Sequence, residues 1–215
     1  MIEKDLGLIN FEEFLKIQDE FWRKRTQDII PDALIFAEHP VVYSLGARNL
    51  KDQMCHFRTW PEGLAELGIK VIETRRGGIV TCHAPGILGI YIIIKVSESS
   101  AGIKLVSWLE KLVIEVLEDY GITAGLKANI NRGVWVQDRK IASVGIQISQ
   151  LVSRFGINLN VSPDLRLFEH IDPCGLVNCQ VTSMEKERQL TPPMIGVKKS
   201  VWYYANSSKK FKSHT

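Results

Sequence analysis

The sequence contains no run of about eighteen apolar residues of the kind a membrane span needs. Its longest apolar stretch, ILGIYIII, is interrupted by glycine and followed by Lys95, which argues against a transmembrane helix. Cysteine is scarce. Cys55, Cys82, Cys174 and Cys179 include no Cys-x-x-Cys pair and are too few to staple 215 residues, so a reducing compartment fits. A Gly-Lys-Ser/Thr phosphate loop is absent. Charge of one sign is also lacking: 27 Lys+Arg against 24 Asp+Glu leave +3, too little to imply nucleic acid, and only the tail SSKKFKSHT concentrates basic residues. The opening MIEKDLGLINFEEFL is acidic and has neither the zones of a secretory signal nor the basic pattern of a transit peptide. A mature chain beginning near Met1 and a cytoplasmic location are expected, with the mitochondrial matrix as the alternative. Repeats and low-complexity segments are missing too.

What is present suffices for a core: 45% of residues are hydrophobic, and a single domain over residues 1–206 with a polar basic tail over 207–215 is expected. Asn10, with Glu13 three residues on, reads as the cap of an amphipathic helix carrying Phe11, Phe14, Leu15 and Trp22. ALIFAE and VVYSLG read as strands, separated by His39-Pro40. Between Gly46 and Gly68 a loop with one helical turn from Pro61 is predicted. Strands follow on either side of a glycine- and proline-containing loop in GIKVIETRRGGIVTCHAPGILGIYIIIKV. From Ile103 to Tyr120, Leu105, Trp108, Leu109, Leu112, Val116 and Leu117 share one helix face, and Gly121 terminates it. GVWVQDRKIASVGIQISQLVSRFGINLNV reads as a three-strand meander turning first at Gln137 to Arg139. A helix start at Ser183 and a final helix holding Val201, Trp202 and Tyr204 complete the order, which argues for an α+β domain.

Three segments carry residue types suited to chemistry. Cys174 lies between Pro173 and Gly175, a pair expected to turn the backbone tightly and leave little bulk near the sulfur. It reads either as a nucleophile or as a small buried apolar residue. His170, across Pro173, offers a Cys-His pairing or a packing role. Lys140 follows the turn at Gln137 to Arg139 and points either to solvent or across the sheet. In RRGGIVTCHAPG the paired glycines let a ligand approach the backbone, and exposed amides there suit an oxyanion or an anionic group. Arg76 contacts such an anion or holds the loop, Arg75 reads as a surface charge, and His83 organises a pocket or is simply hydrogen-bonded. Adjacent Cys82-His83 and Cys55-His56 point to opposite faces of a strand and have no second ligand pair at the usual spacing, so neither a metal nor another cofactor is expected.

EHPVVYSLG, RRGGIVTCHAPG, GVWVQDRKIASVG, FGINLNV and FEHIDPCGL with VTSMEKE after it together resemble the octanoyltransferase (lipoyl/octanoyl transferase) family, from the opening helix to about Glu187. The resemblance implies a biotin/lipoate-protein ligase-transferase type α+β fold, mixed sheets flanked by helices. It implies Cys174 as the acyl-carrying nucleophile and Lys140 as its acid/base partner. By position Arg76, Gly77, Gly78, Ile79, Val80, Thr81, Cys82 and His83 resemble the substrate-binding loop. Ser143, Val144 and Gly145, with Gly156, Ile157 and Asn158, match two further segments that line the acyl tunnel. Octanoyl-acyl carrier protein is the implied donor, and lipoyl domains of 2-oxoacid dehydrogenase complexes and the glycine cleavage H protein are the implied acceptors.

The chain departs from the family pattern at Ile79, usually polar, Cys82, usually aromatic, Ala84, usually glycine, and Ile87, usually glutamine. Asn158 stands where a small apolar residue is usual. These changes bear on acyl length and loop conformation. Two alternatives stand beside the transferase: a lipoate-protein ligase or amidotransferase of the same fold, which in the ligase case activates free lipoate with ATP, and a non-catalytic binder of acylated carrier domains.

Overall fold

The computed structural model describes residues 1–49, 53–127, 132–172 and 179–207. A large mixed sheet runs in the order β1 (Ile2–Leu8), β2 (Ala33–Glu38), β6 (Ile87–Ile93), β9 (Val152–Asn160), β8 (Arg139–Ser149) and β10 (Gln180–Val181), with β7 (Gly133–Val136) paired to β8. The β1–β2 and β8–β10 pairs are parallel and the others antiparallel. A second sheet has the order β4 (Lys70–Glu73), β3 (Val42–Leu45), β5 (Thr81–His83).

Local signals place the helices. In α1 (Phe11–Thr26) the Asn10 side chain accepts from the Glu12 and Glu13 amides, satisfying two donors that the first turn would otherwise orphan. Pro61 opens α2 (Pro61–Glu66), with Gly68 following in the left-handed region. In α3 (Gly102–Asp119) Leu105, Leu109, Leu112, Val113, Val116 and Leu117 form one buried stripe. Each such side chain contributes about 1.5–3 kcal/mol by leaving water. Ser183 caps α4 (Met184–Arg188), its hydroxyl accepting from the Lys186 amide, and α5 (Met194–Ser207) packs Val197, Val201 and Ala205 against α3. No helix among the described residues is long and apolar enough to cross a membrane.

Three cores result. The α3 and α5 stripes cover one face of the large sheet, meeting Leu88, Ile90, Ile92, Ile157 and Leu159. On the other face α1 lays Phe11 and Phe14 over Ile35, Tyr91 and Ile93. The small sheet forms its own core from Tyr43, Leu45, Val80, Cys82, Phe168 and Ile171. The expected elements are found among the described residues; β5, inside the stretch read as a loop, and β10 were not expected, and neither was β1. Its charged residues Glu3, Lys4 and Asp5 stand on an exposed edge, where they block further strand pairing and erase the apolar alternation that signals a strand.

Candidate active site

Lys140 lies where β8 begins and is 1% exposed, so of its two sequence readings the cross-sheet one holds. Its Nζ donates to the Arg132 carbonyl at 3.1 Å and lies 5.3 Å from the Trp135 ring centroid, an arrangement that offers an ammonium a carbonyl dipole and an aromatic face in place of water. Beside it β10 pairs Val181 with Lys140, and the Thr182 amide donates to the Lys140 carbonyl at 3.0 Å.

Cys174 falls in 173–178, outside the described residues. The chain on both sides of that segment is fixed. Upstream, Ile171 bridges Phe57 and the Asp172 carboxylate holds the Arg58 guanidinium at 2.6 Å. Downstream, Gln180 and Val181 join β8 at Arg139 and Lys140. His170 Nδ1 sits 2.9 Å from the Thr59 hydroxyl.

The loop before β5 rests on β8. The Gly77 amide donates to Ile146 O at 2.8 Å, and a Cβ on Gly145 would lie 2.6 Å from the Gly77 carbonyl, so a glycine at 145 is what admits the loop. Between loop and sheet lies a slot of about 30 Å³ lined by residues of β5, β8 and β9, among them Thr81, His83, Ser143, Gly145, Gly156 and Asn158, with Arg76, Gly78, Ile79, Val144, Tyr91 and Phe155 completing it. That is room for water, one molecule needing about 10–15 Å³ of such space. Through Gly78, Ile79, Val144 and Gly145 the slot adjoins a depression of about 240 Å³ that Arg48, Gly77, Val106, Arg132 and Ile146 complete. An apolar hollow of about 720 Å³ at Ile103, Val106, Ile146 and Ile148 continues it.

Strand alternation divides the expected site residues. Thr81 and His83 face the slot, whereas Val80 and Cys82 turn into the small-sheet core. On β9, Gly156 and Asn158 face the slot, but the Ile157 side chain packs under α3, which corrects its expected place in the tunnel wall. Cys82 is a poor nucleophile as well as a hidden one: burial pushes its thiol up, against a lowering hydrogen bond from Tyr43.

The closed end of the slot is polar. Asn158 Nδ2 donates to His83 Nδ1 at 3.2 Å, which leaves Nε2–H of His83 to donate to Ser44 Oγ at 2.8 Å. Arg76 also donates to Ser44, from Nε at 3.2 Å and Nη2 at 3.0 Å to Oγ and from Nη2 at 2.5 Å to the carbonyl. Of its two sequence readings, these contacts show Arg76 holding the loop. Burial, then repulsion from His39 and Arg76, holds His83 well below the ordinary histidine range, so it is neutral. His39 beneath it is pushed down to about 4 by burial, opposed by the Ile9 carbonyl, and its Nε2 lies 2.9 Å from the Tyr91 hydroxyl.

Sequence reading missed Ser44, Tyr91, Phe155, Glu110 and Arg132. Ser44 and Phe155 lie in EHPVVYSLG and FGINLNV but read there only as strand residues, Tyr91 stands inside an apolar strand run, Arg132 just before a strand and Glu110 on the buried stripe of α3, so no local pattern singles them out. A carboxylate on an apolar helix face was the one signal to follow.

Residues 10–203 match the family described as the lipoyl protein ligase A/B catalytic domain. An octanoyltransferase of Syntrophobacter fumaroxidans is 40% identical over 85% of this chain and 78% of its own length. One of Dictyoglomus thermophilum is 42% identical over 92% and 85%, and a mitochondrial octanoyltransferase of Arabidopsis thaliana 36% identical over 87% and 79%. Among solved structures, the bipartite lipoate protein ligase of Thermoplasma acidophilum aligns with a TM-score of 0.68 at 12% identity, covering 95% of this chain and 83% of that one. The biotin protein ligase of Aquifex aeolicus aligns at 0.52 and 15%, covering 94% and 65%. These two likenesses establish the α+β fold of lipoate and biotin ligases. The family match over residues 10–203 and the relatives at 36–42% identity place the chain among the octanoyltransferases, acyltransferases of the lipoyl protein ligase A/B catalytic domain family.

Proposed function

We propose that the chain moves an octanoyl group from octanoyl-acyl carrier protein, through a thioester on Cys174, to the ε-amine of a lysine on a lipoyl domain. The observation that carries this reading is the buried Lys140 ammonium, held at the β8 strand to which the chain returns six residues after Cys174. Acceptors of this chemistry are the lipoyl domains of 2-oxoacid dehydrogenase complexes and the glycine cleavage H protein. Residues 1–206 act as one catalytic domain and 207–215 as a basic tail.

In the first half-reaction the Cys174 thiolate, its charge balanced by the Lys140 ammonium, attacks the donor carbonyl. The carrier's phosphopantetheine thiolate leaves and takes a proton from the Lys140 ammonium, which becomes a neutral amine. One thioester replaces another, so the barrier is chiefly the charge on the tetrahedral oxygen. Backbone amides of the glycine loop suit that oxygen, and each such donor contributes about 3 kcal/mol. In the second half the acceptor amine attacks and gives its proton to the Lys140 amine, so the Cys174 sulfur departs as a thiolate beside the restored ammonium. An amide is more stable than a thioester, so the sequence runs forward without ATP or a cofactor.

The acyl chain lies between the loop at Gly78 and Ile79 and the strand at Val144 to Ile146, where each buried methylene contributes about 0.8 kcal/mol. Thr81, His83, Ser143, Gly156 and Asn158 close the end of that path. The chemistry needs reduced thiols, as in a bacterial cytoplasm or an organelle matrix.

Transfer to an isolated lipoyl domain is expected from octanoyl-acyl carrier protein with ATP absent. Transfer only from free octanoate or lipoate with ATP overturns the reading in favour of a ligase, and tight binding without turnover overturns it in favour of a carrier-domain binder.

A further inference from the structure

Glu110 is a carboxylate on the apolar stripe of α3, between Leu109 and Leu112, and is 1% exposed. A buried carboxylate is costly unless something compensates it. Its Oε1 accepts from the Gly133 amide at 2.7 Å. Its Oε2 lies 2.8 Å from Arg132 Nη2, an ion pair without hydrogen-bond alignment, while the same guanidinium nitrogen donates to Ser107 at 2.7 Å.

The other end of that peptide unit is the Arg132 carbonyl, which receives Lys140 Nζ at 3.1 Å. One peptide plane therefore has a carboxylate on its N–H and an ammonium on its carbonyl, and the two charges polarise it in the same sense. Gly133 stands at φ +141, where a Cβ would lie 2.7 Å from Lys140 Cε and 2.4 Å from the Ala142 carbonyl, so the plane approaches the lysine as closely as a backbone can.

We propose that Glu110 is a positioning residue for Lys140, acting through the peptide that joins Arg132 to Gly133. Its effect on transfer rests on the proposed function; its hold on the ammonium does not. Other charged groups near Lys140 are already engaged: Lys127, on the Trp135 ring at 4.8 Å, pairs with Asp138, and Arg139 pairs with Glu187. Among the described residues of this group Glu110 is the buried carboxylate, and burial, opposed by the Gly133 amide and by Arg132 and Lys140, raises its proton affinity.

The test uses the full chain. In Lys140→Ala, ethylammonium chloride fills the vacated place, and calorimetry gives its affinity. Glu110→Gln keeps an acceptor for Gly133 but removes the charge, so the double variant is expected to bind ethylammonium about tenfold more weakly or worse, as a charge on the far side of one peptide unit at an effective dielectric near 20 requires. Glu110→Gln alone is expected to lower kcat about tenfold with KM for the donor and the melting temperature unchanged. Equal ethylammonium affinity in the two backgrounds overturns the proposal, as does unchanged kcat, or kcat falling only together with the melting temperature. If Lys140→Ala does not fold, the kcat and KM of Glu110→Gln decide. Affinity that depends on Glu110 in a protein that transfers no octanoyl group upholds the positioning and rejects the function.

Discussion

Asn158 sets the depth of the slot. Its amide fills the closed end and ties His83 into a chain of polar contacts that runs on to Ser44 and Arg76, leaving about 30 Å³ beyond the loop. Asn158→Ala is expected to deepen that end by the volume of an amide and to move donor preference toward longer acyl chains, by about threefold to tenfold in kcat/KM per methylene accommodated. Single-turnover rates with donors of several lengths measure it, and an unchanged length profile refutes the assignment. At this scale Lys140 and the Gly77-Gly78 loop were legible because a punctuated turn and a glycine pair are local signals. Ser44, Tyr91 and Glu110 were not, since each gains its meaning from partners dozens of positions away.

Whether the strands present a side chain to the slot or to a core is decided by the alternation of β5, β8 and β9, which fixes Thr81, His83 and Asn158 on one side and Cys82 and Ile157 on the other. A motif read as a continuous string overstates the lining for that reason: its backbone passes the slot, but only alternate side chains enter it. The docking of the glycine loop on β8 depends on Gly145. In Gly145→Ala the new methyl, 2.6 Å from the Gly77 carbonyl, is expected to lift the loop and cut transfer at least tenfold, with a loss of about 1–3 kcal/mol in urea unfolding. Transfer at the wild-type rate would show that the docked loop is dispensable. The unexpected β1 belongs to this scale too, because edge strands carry the charges that hide them from pattern reading.

For the whole molecule, the buried histidines at the seam of α1 and the two sheets couple folding to acid. Unfolded His39 takes a proton near its ordinary 6.5, whereas the folded side chain resists to about 4, so between these values the unfolded state holds more protons. Stability is complete above pH 6.5, falls as the pH drops and levels near 4, by about 3 kcal/mol for His39, which is 1% exposed. His83, also held low, adds to the fall, and Glu110, whose carboxyl burial holds high, works against it. Urea midpoints at pH 7 and pH 4.5 are expected to differ accordingly, and equal midpoints contradict a neutral buried pair.

The mixed fold and its helices were readable at this scale because periodicity and caps are sequence properties, whereas the meeting of the two sheets around the slot is set by packing alone. The central claim is acylation of one thiol. Mixed with octanoyl-acyl carrier protein and no acceptor, the chain is expected to gain one hydroxylamine-sensitive octanoyl group on Cys174 by intact mass and peptide mapping, and Cys174→Ser to gain none. An adduct on Cys55, Cys82 or Cys179, or no adduct under conditions of full transfer, would contradict the account.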